Sequence, residues 1–149
     1  GNGFNRWGLP DFTGDGNGFK LGGGDEDLPA AHTARNSMAW DNAVGGFIDN
    51  ANPGQLVIDR CTAWDNPGTG FDFADADATL TRNLAVANGT NVSLGSNSGG
   101  SGNSWNLGGS WSFASTDPST ITVARQANGA IPSSTFLRPS NGADVGARF

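Results

Sequence analysis

The chain has 149 residues, about one ordinary domain, and is rich in Gly (24) with no Tyr. Leu, Ile, Val and Phe make up roughly a fifth of it, a low share, yet a net charge of −6 is too modest for a charge-expanded coil. No run approaches the ~18 apolar residues of a membrane span, no basic segment leading into an apolar one marks an export signal, and eight cations against fourteen acids leave no basic face for nucleic acid.

Taken in order, residues 1–17 are Gly- and Asn-rich, and Gly1-Asn2-Gly3-Phe4 has the look of the end of a repeat. Gly18-Phe19-Lys20-Leu21 follows as a short strand, then a loop carrying Asp25-Glu26-Asp27. Ala39-Trp40-Asp41-Asn42 recurs 24 residues later as Ala63-Trp64-Asp65-Asn66, and more loosely 22 residues further on as Ala85-Val86-Ala87-Asn88. Upstream of each copy lies a β-leaning run, His32-Thr33-Ala34, Leu56-Val57-Ile58 and Ala78-Thr79-Leu80; downstream come Gly46-Phe47, Gly70-Phe71 and Asn91-Val92. Residues 95–104 read as a Gly/Ser/Asn loop, and Ser104-Trp105-Asn106-Leu107 as part of one more coil. Beyond 111 the repeat is lost; Ile121-Thr122-Val123 and Thr135-Phe136-Leu137 are expected to be terminal strands covering the last rung, because solenoids need caps.

A period of 22–24 with short strands between Asn and Gly suits one rung of a parallel β-helix. Leucine-rich repeats need a leucine comb that is missing, and propeller blades repeat at about 40–45 residues. The Gly-Asp-Gly-Asn-Gly run at 14–18 is similar to calcium-binding nonapeptide rolls, but that period stops at Lys20. The expectation is an all-β, single-domain parallel β-helix over residues 1–149. It has about five rungs, with a repeat core near 18–108 and a cap near 111–149. Phe19, Phe47, Phe71 and Val92 form one inward stack, and Ala34, Ile58 and Leu80 another. Asn42, Asn66 and Asn88 form a ladder that supports a bend.

Lys20 is the only lysine in the chain. Strand alternation turns Phe19 and Leu21 inward and Lys20 outward, with Ile48, Asp72, Ser93 and Asn106 at matching outward positions. Most lysines are simply solvated, but this one is flanked by glycines that let a bulky ligand reach the sheet, and a lysine, unlike an arginine, can act as a base. Asp72 lies two rungs away, about 10 Å, which suits sugar binding better than direct contact. Asp75 and Asp77 read as solvated, and Asp25-Glu26-Asp27 as a solvated loop before a cation site. His32 aligns with Leu56 and reads as packed, Trp40 and Trp64 read as packing, and Cys61, the one cysteine, as an inert thiol.

Gly18-Phe19-Lys20-Leu21-Gly22-Gly23, then His32, Arg35-Asn36-Ser37, Trp40-Asp41-Asn42 and Gly46-Phe47, resembles the polysaccharide lyase family nine pectate lyases. Phe136-Leu137-Arg138-Pro139 and Gly142-Ala143-Asp144-Val145-Gly146-Ala147 resemble the end of that family's β-helix domain. The resemblance implies a right-handed β-helix, secreted, that cleaves polygalacturonate by calcium-assisted β-elimination with an alkaline optimum, Lys20 being the base. The family's calcium-binding aspartates lie on rungs before the lysine, where this sequence has only Asp11 and Asp15, singly. The expectation is therefore a C-terminal portion of a lyase domain, with no metal ligand assigned, completed by further N-terminal rungs or a second chain. The alternative is a noncatalytic β-helix that binds acidic polysaccharide or serves as an extracellular scaffold.

Overall fold

The computed structural model describes residues 2–5, 8–23 and 28–149. Eleven short strands coil into a parallel β-helix with three sheets. The first sheet stacks β1 (Phe19–Lys20), β4 (Phe47–Ile48), β7 (Thr69–Phe73) and β10 (Thr90–Leu94). The second stacks β2 (His32–Arg35), β5 (Gln55–Asp59), β8 (Asp77–Thr81) and β11 (Gly99–Ser101). The third stacks β3 (Met38–Trp40), β6 (Thr62–Trp64) and β9 (Leu84–Val86). From β2 to β10 the chain completes three turns, with β1 before them and β11 after, fewer than the five rungs expected.

The register is the one the repeat predicts. Phe19 pairs with Phe47, Phe47 with Phe71 and Phe71 with Val92; Ala34 pairs with Ile58 and Ile58 with Leu80. Because strands stack about 4.8 Å apart, in-register phenylalanines are forced face to face: Phe19–Phe47 centroids are 4.6 Å apart and Phe47–Phe71 5.1 Å. Phe47, Phe71, Ile58 and Leu80 are wholly buried.

Two columns of left-handed residues make the bends. Asn36, Arg60 and Arg82 (φ 46°, 52° and 53°) turn the chain from the second sheet to the third; Asp41, Asp65 and Ala87 (φ 49°, 55° and 56°) turn it from the third to the first. Asn and Asp enter this region more readily than other side chains. Just past the second bend, Gly46 has no room for a side chain, since a Cβ would lie 2.3 Å from the Gly70 carbonyl oxygen and 2.9 Å from the Ala63 Cβ. That explains the glycine before each stacked phenylalanine at Gly46 and Gly70. The asparagine ladder holds this corner: Asn42 Nδ2 donates to Asn66 Oδ1, and Asn66 Nδ2 to Asn88 Oδ1, each at 2.8 Å.

Four expectations need correcting. The loop at 95–104 contains β11, which pairs with β8 in parallel. Ser104–Leu107 is not a further strand but a one-turn helix, α1, opened by Asn103 in a capping box with Asn106. Asn106 therefore accepts from Asn103 instead of extending the outward column of Lys20. The C-terminal residues do not form strands over the last rung: Ile121 follows a 3₁₀ turn at Pro118–Thr120, and Phe136 makes only an isolated bridge with Ser115. They run instead along the outside of the third sheet. Phe136 wedges edge-on against Trp40 and Trp64, with centroids 5.9 and 5.3 Å away. Gly146 N–H then donates to the Arg82 carbonyl, Ala147 N–H to Thr62 Oγ1 and Arg148 N–H to Asn36 Oδ1. The tail thus staples all three turns side-on, and Trp105 of α1, 5.5 Å from the Phe71 ring, closes that end of the core.

Candidate functional site

The outer surface of the first sheet forms a wall on which Lys20, Ile48, Asp72 and Ser93 stand in one column, paired strand to strand in that order. Inward Phe19 and its stacked partners fix this orientation, because alternate residues on a strand face opposite ways. Lys20 is exposed, and Ile48 and Asp72 are half-buried. Ile48 separates Lys20 from Asp72, so the two share a wall without touching. Gly22 after the lysine approaches the next turn so closely that a Cβ would meet the Asp49 carbonyl oxygen at 2.3 Å, which keeps the surface beside Lys20 low.

The Lys20 ammonium donates to Asp15 Oδ2, from the loop just before β1. Asp72 is hydrogen-bonded to Ser93, yet burial, with the Asp49 and Asp75 carboxylates nearby, raises its carboxyl above the ordinary aspartate value. Asp49 itself is buried and committed: its Oδ2 accepts the N–H groups of Asp75 and Ala76, at 2.8 and 3.0 Å. Asn52 plays a similar part, donating to the Leu21 and Ala30 carbonyls while accepting from Ala30 and Gly54 N–H. Neither residue stood out in the sequence, because neither recurs at the repeat spacing. The signal for Asp49 is an acid directly after a strand that ends on the wall; Asn52, four residues past that strand, carries none.

The other candidates fall as follows. His32 keeps its register with Leu56 but is exposed, not packed, because β2 is the outermost strand of its sheet among the described residues. Asp75 and Asp77 are exposed. Trp40 and Trp64 pair in register and pack against Phe136. Cys61 is buried, and desolvation pushes its thiol up to about 11, out of the reactive range. Asp25-Glu26-Asp27 lies outside the described residues. Among the described residues no three carboxylate, imidazole or thiolate groups converge as a metal site requires. Calcium, which takes six to eight oxygen ligands, does not fit what they offer.

A family model for the Pel9A-like, right handed beta helix region matches residues 1–83. Pectate lyase PEL9 of Emericella nidulans is 50% identical over 153 aligned residues, which cover 99% of this chain and 37% of the relative. Pectate lyase L of Dickeya dadantii is 34% identical, covering 93% of this chain and 33% of its own length. Among solved structures, pectate lyase Pel9A superposes with a TM-score of 0.73 at 28% identity, over 99% of this chain and 38% of that one. A rhamnogalacturonan lyase, at TM-score 0.66 and 22% identity, shares the fold. The chain spans about a third of the length of the curated relatives it matches across. Its repeat, its parallel sheets and these matches agree, and the chain belongs to the Pel9A-like right-handed β-helix family of polysaccharide lyase family 9.

Proposed function

We propose that this chain is part of a polysaccharide lyase that cleaves polygalacturonate by β-elimination, with Lys20 as the base and Asp72 in the sugar-binding wall. The observation that carries this reading is the position of the only lysine, on an exposed strand face beside glycines, where a polymer laid along the wall meets its amine. In the elimination the neutral Nζ takes the C5 proton, which lies α to the uronate carboxylate. The C5–H electron pair forms the C4–C5 double bond, and the C4–O bond breaks with its electrons leaving on the glycosidic oxygen, which then takes a proton from solvent. The ammonium so formed has Asp15 within reach. Calcium remains part of the proposal, but since the described residues do not supply its ligands, the cation belongs to residues outside them and no step here runs through it. A polymeric substrate sets the work outside the cell.

The product carries a conjugated double bond and absorbs in the ultraviolet, so the test is direct. Absorbance is followed with polygalacturonate and calcium, for this chain and for the same residues carried in a chain of its relatives' length. Lys20→Ala and Lys20→Arg each lower the rate about 10²-fold or more, the usual share of a positioned base, the arginine because a guanidinium does not give up its proton. An active protein indifferent to both substitutions would overturn the assignment. Binding of acidic polysaccharide without elimination in either form would favour the noncatalytic alternative.

A further inference from the structure

We propose that Asp15 is the positioning residue of Lys20, holding its amine over the wall; this rests on the reading of Lys20 as the base. A lysine has four rotatable side-chain bonds and a strongly hydrated head, and the Lys20 side chain keeps 36% of its surface open to solvent, so packing of its stem alone does not fix where the amine lies. Its hydrogen-bond partner among the described residues is the Asp15 carboxylate. Asp15 sits on a loop that is itself tied down. Gly16 beside it is buried at φ 75°, where a Cβ would lie 2.9 Å from Val44 Cγ2, and its carbonyl accepts from Val44 N–H at 2.9 Å. Asn17 Oδ1 accepts from Gly45 N–H at 3.0 Å, and Gly18 N–H donates to the Gly45 carbonyl at 2.9 Å. These contacts fix the loop to the bend of the next turn, so Asp15 projects from a rigid support rather than from a free loop. The carboxylate both orients the amine and neutralises the ammonium that proton transfer leaves behind. An unpaired amine is more accessible to a small reagent and spends less time where the substrate's proton lies.

The single lysine makes this measurable on the chain without any turnover. Acetylation of Lys20 by uncharged N-hydroxysuccinimidyl acetate is timed by mass spectrometry of the peptide that contains it. Asp15→Asn is expected to label about 1.5- to 5-fold faster, the span of an exposed ion pair. Asp15→Glu should label at the original rate, and Asp11→Asn, the same charge change on the same segment, should do nothing. Equal rates for Asp15→Asn and the unchanged chain overturn the proposal, as does an equal acceleration in Asp11→Asn or Asp15→Glu. In elimination assays Asp15→Asn lowers kcat with KM within about twofold, and Asp15→Glu restores it; a loss confined to KM also overturns it. The two readings fail separately: no elimination with the labelling contrast intact removes the base assignment, whereas no contrast removes the role of Asp15 whatever the turnover.

Discussion

Asn66 shows how much one side chain does at the corner of this coil. It is buried, and its Oδ1 accepts from both the backbone and the side-chain nitrogen of Asn42 in the turn below. Its Nδ2 donates to Asn88 in the turn above and to the carbonyls of Ala39 and Trp64. An aspartate has the shape but not the donors, and an alanine leaves several of these groups without partners or water. A stranded buried polar group costs about 1–3 kcal/mol, so Asn66→Ala should lose about 2–4 kcal/mol, read as a lower urea midpoint with unchanged slope. Asn88→Ala, half-exposed at the ladder's end, should lose clearly less, because water reaches the groups it abandons. Equal losses would mean that the ladder is not the source of the stability.

At the scale of elements, what repeats in the sequence is what could be read from it. Spacings of 24 and 22 carried the register of the strands from β2 to β9, and the recurring Gly-Phe pair with strand alternation carried the phenylalanine stack and the outward place of Lys20 beside Ile48 and Asp72. What does not repeat was not legible. The helix α1 depends on Asn103 and Asn106 capping each other, a local chemistry that overrides the strand-like look of Ser104-Trp105. The Asp15–Lys20 contact brings a loop residue from outside the repeat onto the wall, and the C-terminal strap is bound by hydrogen bonds that span 85 and 112 residues of sequence. The strap also explains the outward tryptophans, whose partner, Phe136, comes from it. Thr62 is its central anchor, fully buried with Oγ1 receiving the Ala147 N–H at 2.9 Å. Thr62→Val keeps the shape and orphans that donor. Hydrogen exchange at Ala147 and its neighbours should accelerate about 5- to 100-fold, matching a 1–3 kcal/mol penalty, while amides of β5 and β8 keep their protection. Unchanged exchange at Ala147 would mean that the strap is held by its apolar contacts alone.

For the whole molecule, the carboxylates set a stability that rises and then falls with acid. Burial raises the Asp72 carboxyl above the ordinary value of 3.8, with Asp49 and Asp75 adding to it and the Ser93 hydrogen bond opposing. A folded state that holds this proton more tightly than the unfolded chain gains stability as pH falls from neutrality towards that value. Three other groups act in the opposite sense. The Arg60 hydrogen bond holds Asp144 low against a smaller effect of burial. At Asp59 burial pulls upward but is outweighed by hydrogen bonds from Arg82 and Thr81 and by the charges of Arg82 and Arg60. Asp117 is lowered by hydrogen bonds from Ser119. What these three contribute is present above pH 3.8 and disappears as acid protonates the folded carboxylates below it. Two of them belong to the clasp at the bend from the second sheet to the third, where Arg60 grips Asp144 of the strap with both terminal guanidinium nitrogens at 2.5 Å and Arg82 grips Asp59. Urea midpoints taken between pH 7 and pH 2 should therefore pass through a maximum on the acid side of neutrality, then drop steeply. Asp72→Asn should flatten the rise and leave the drop. Asp144→Asn should shallow the drop and leave the rise. The strap's release is visible separately as a change in tryptophan fluorescence when Phe136 leaves Trp40 and Trp64. A midpoint that falls steadily from pH 7 in the unchanged chain would show that Asp72 is relieved of its neighbours by solvent and that the wall carries no stored repulsion.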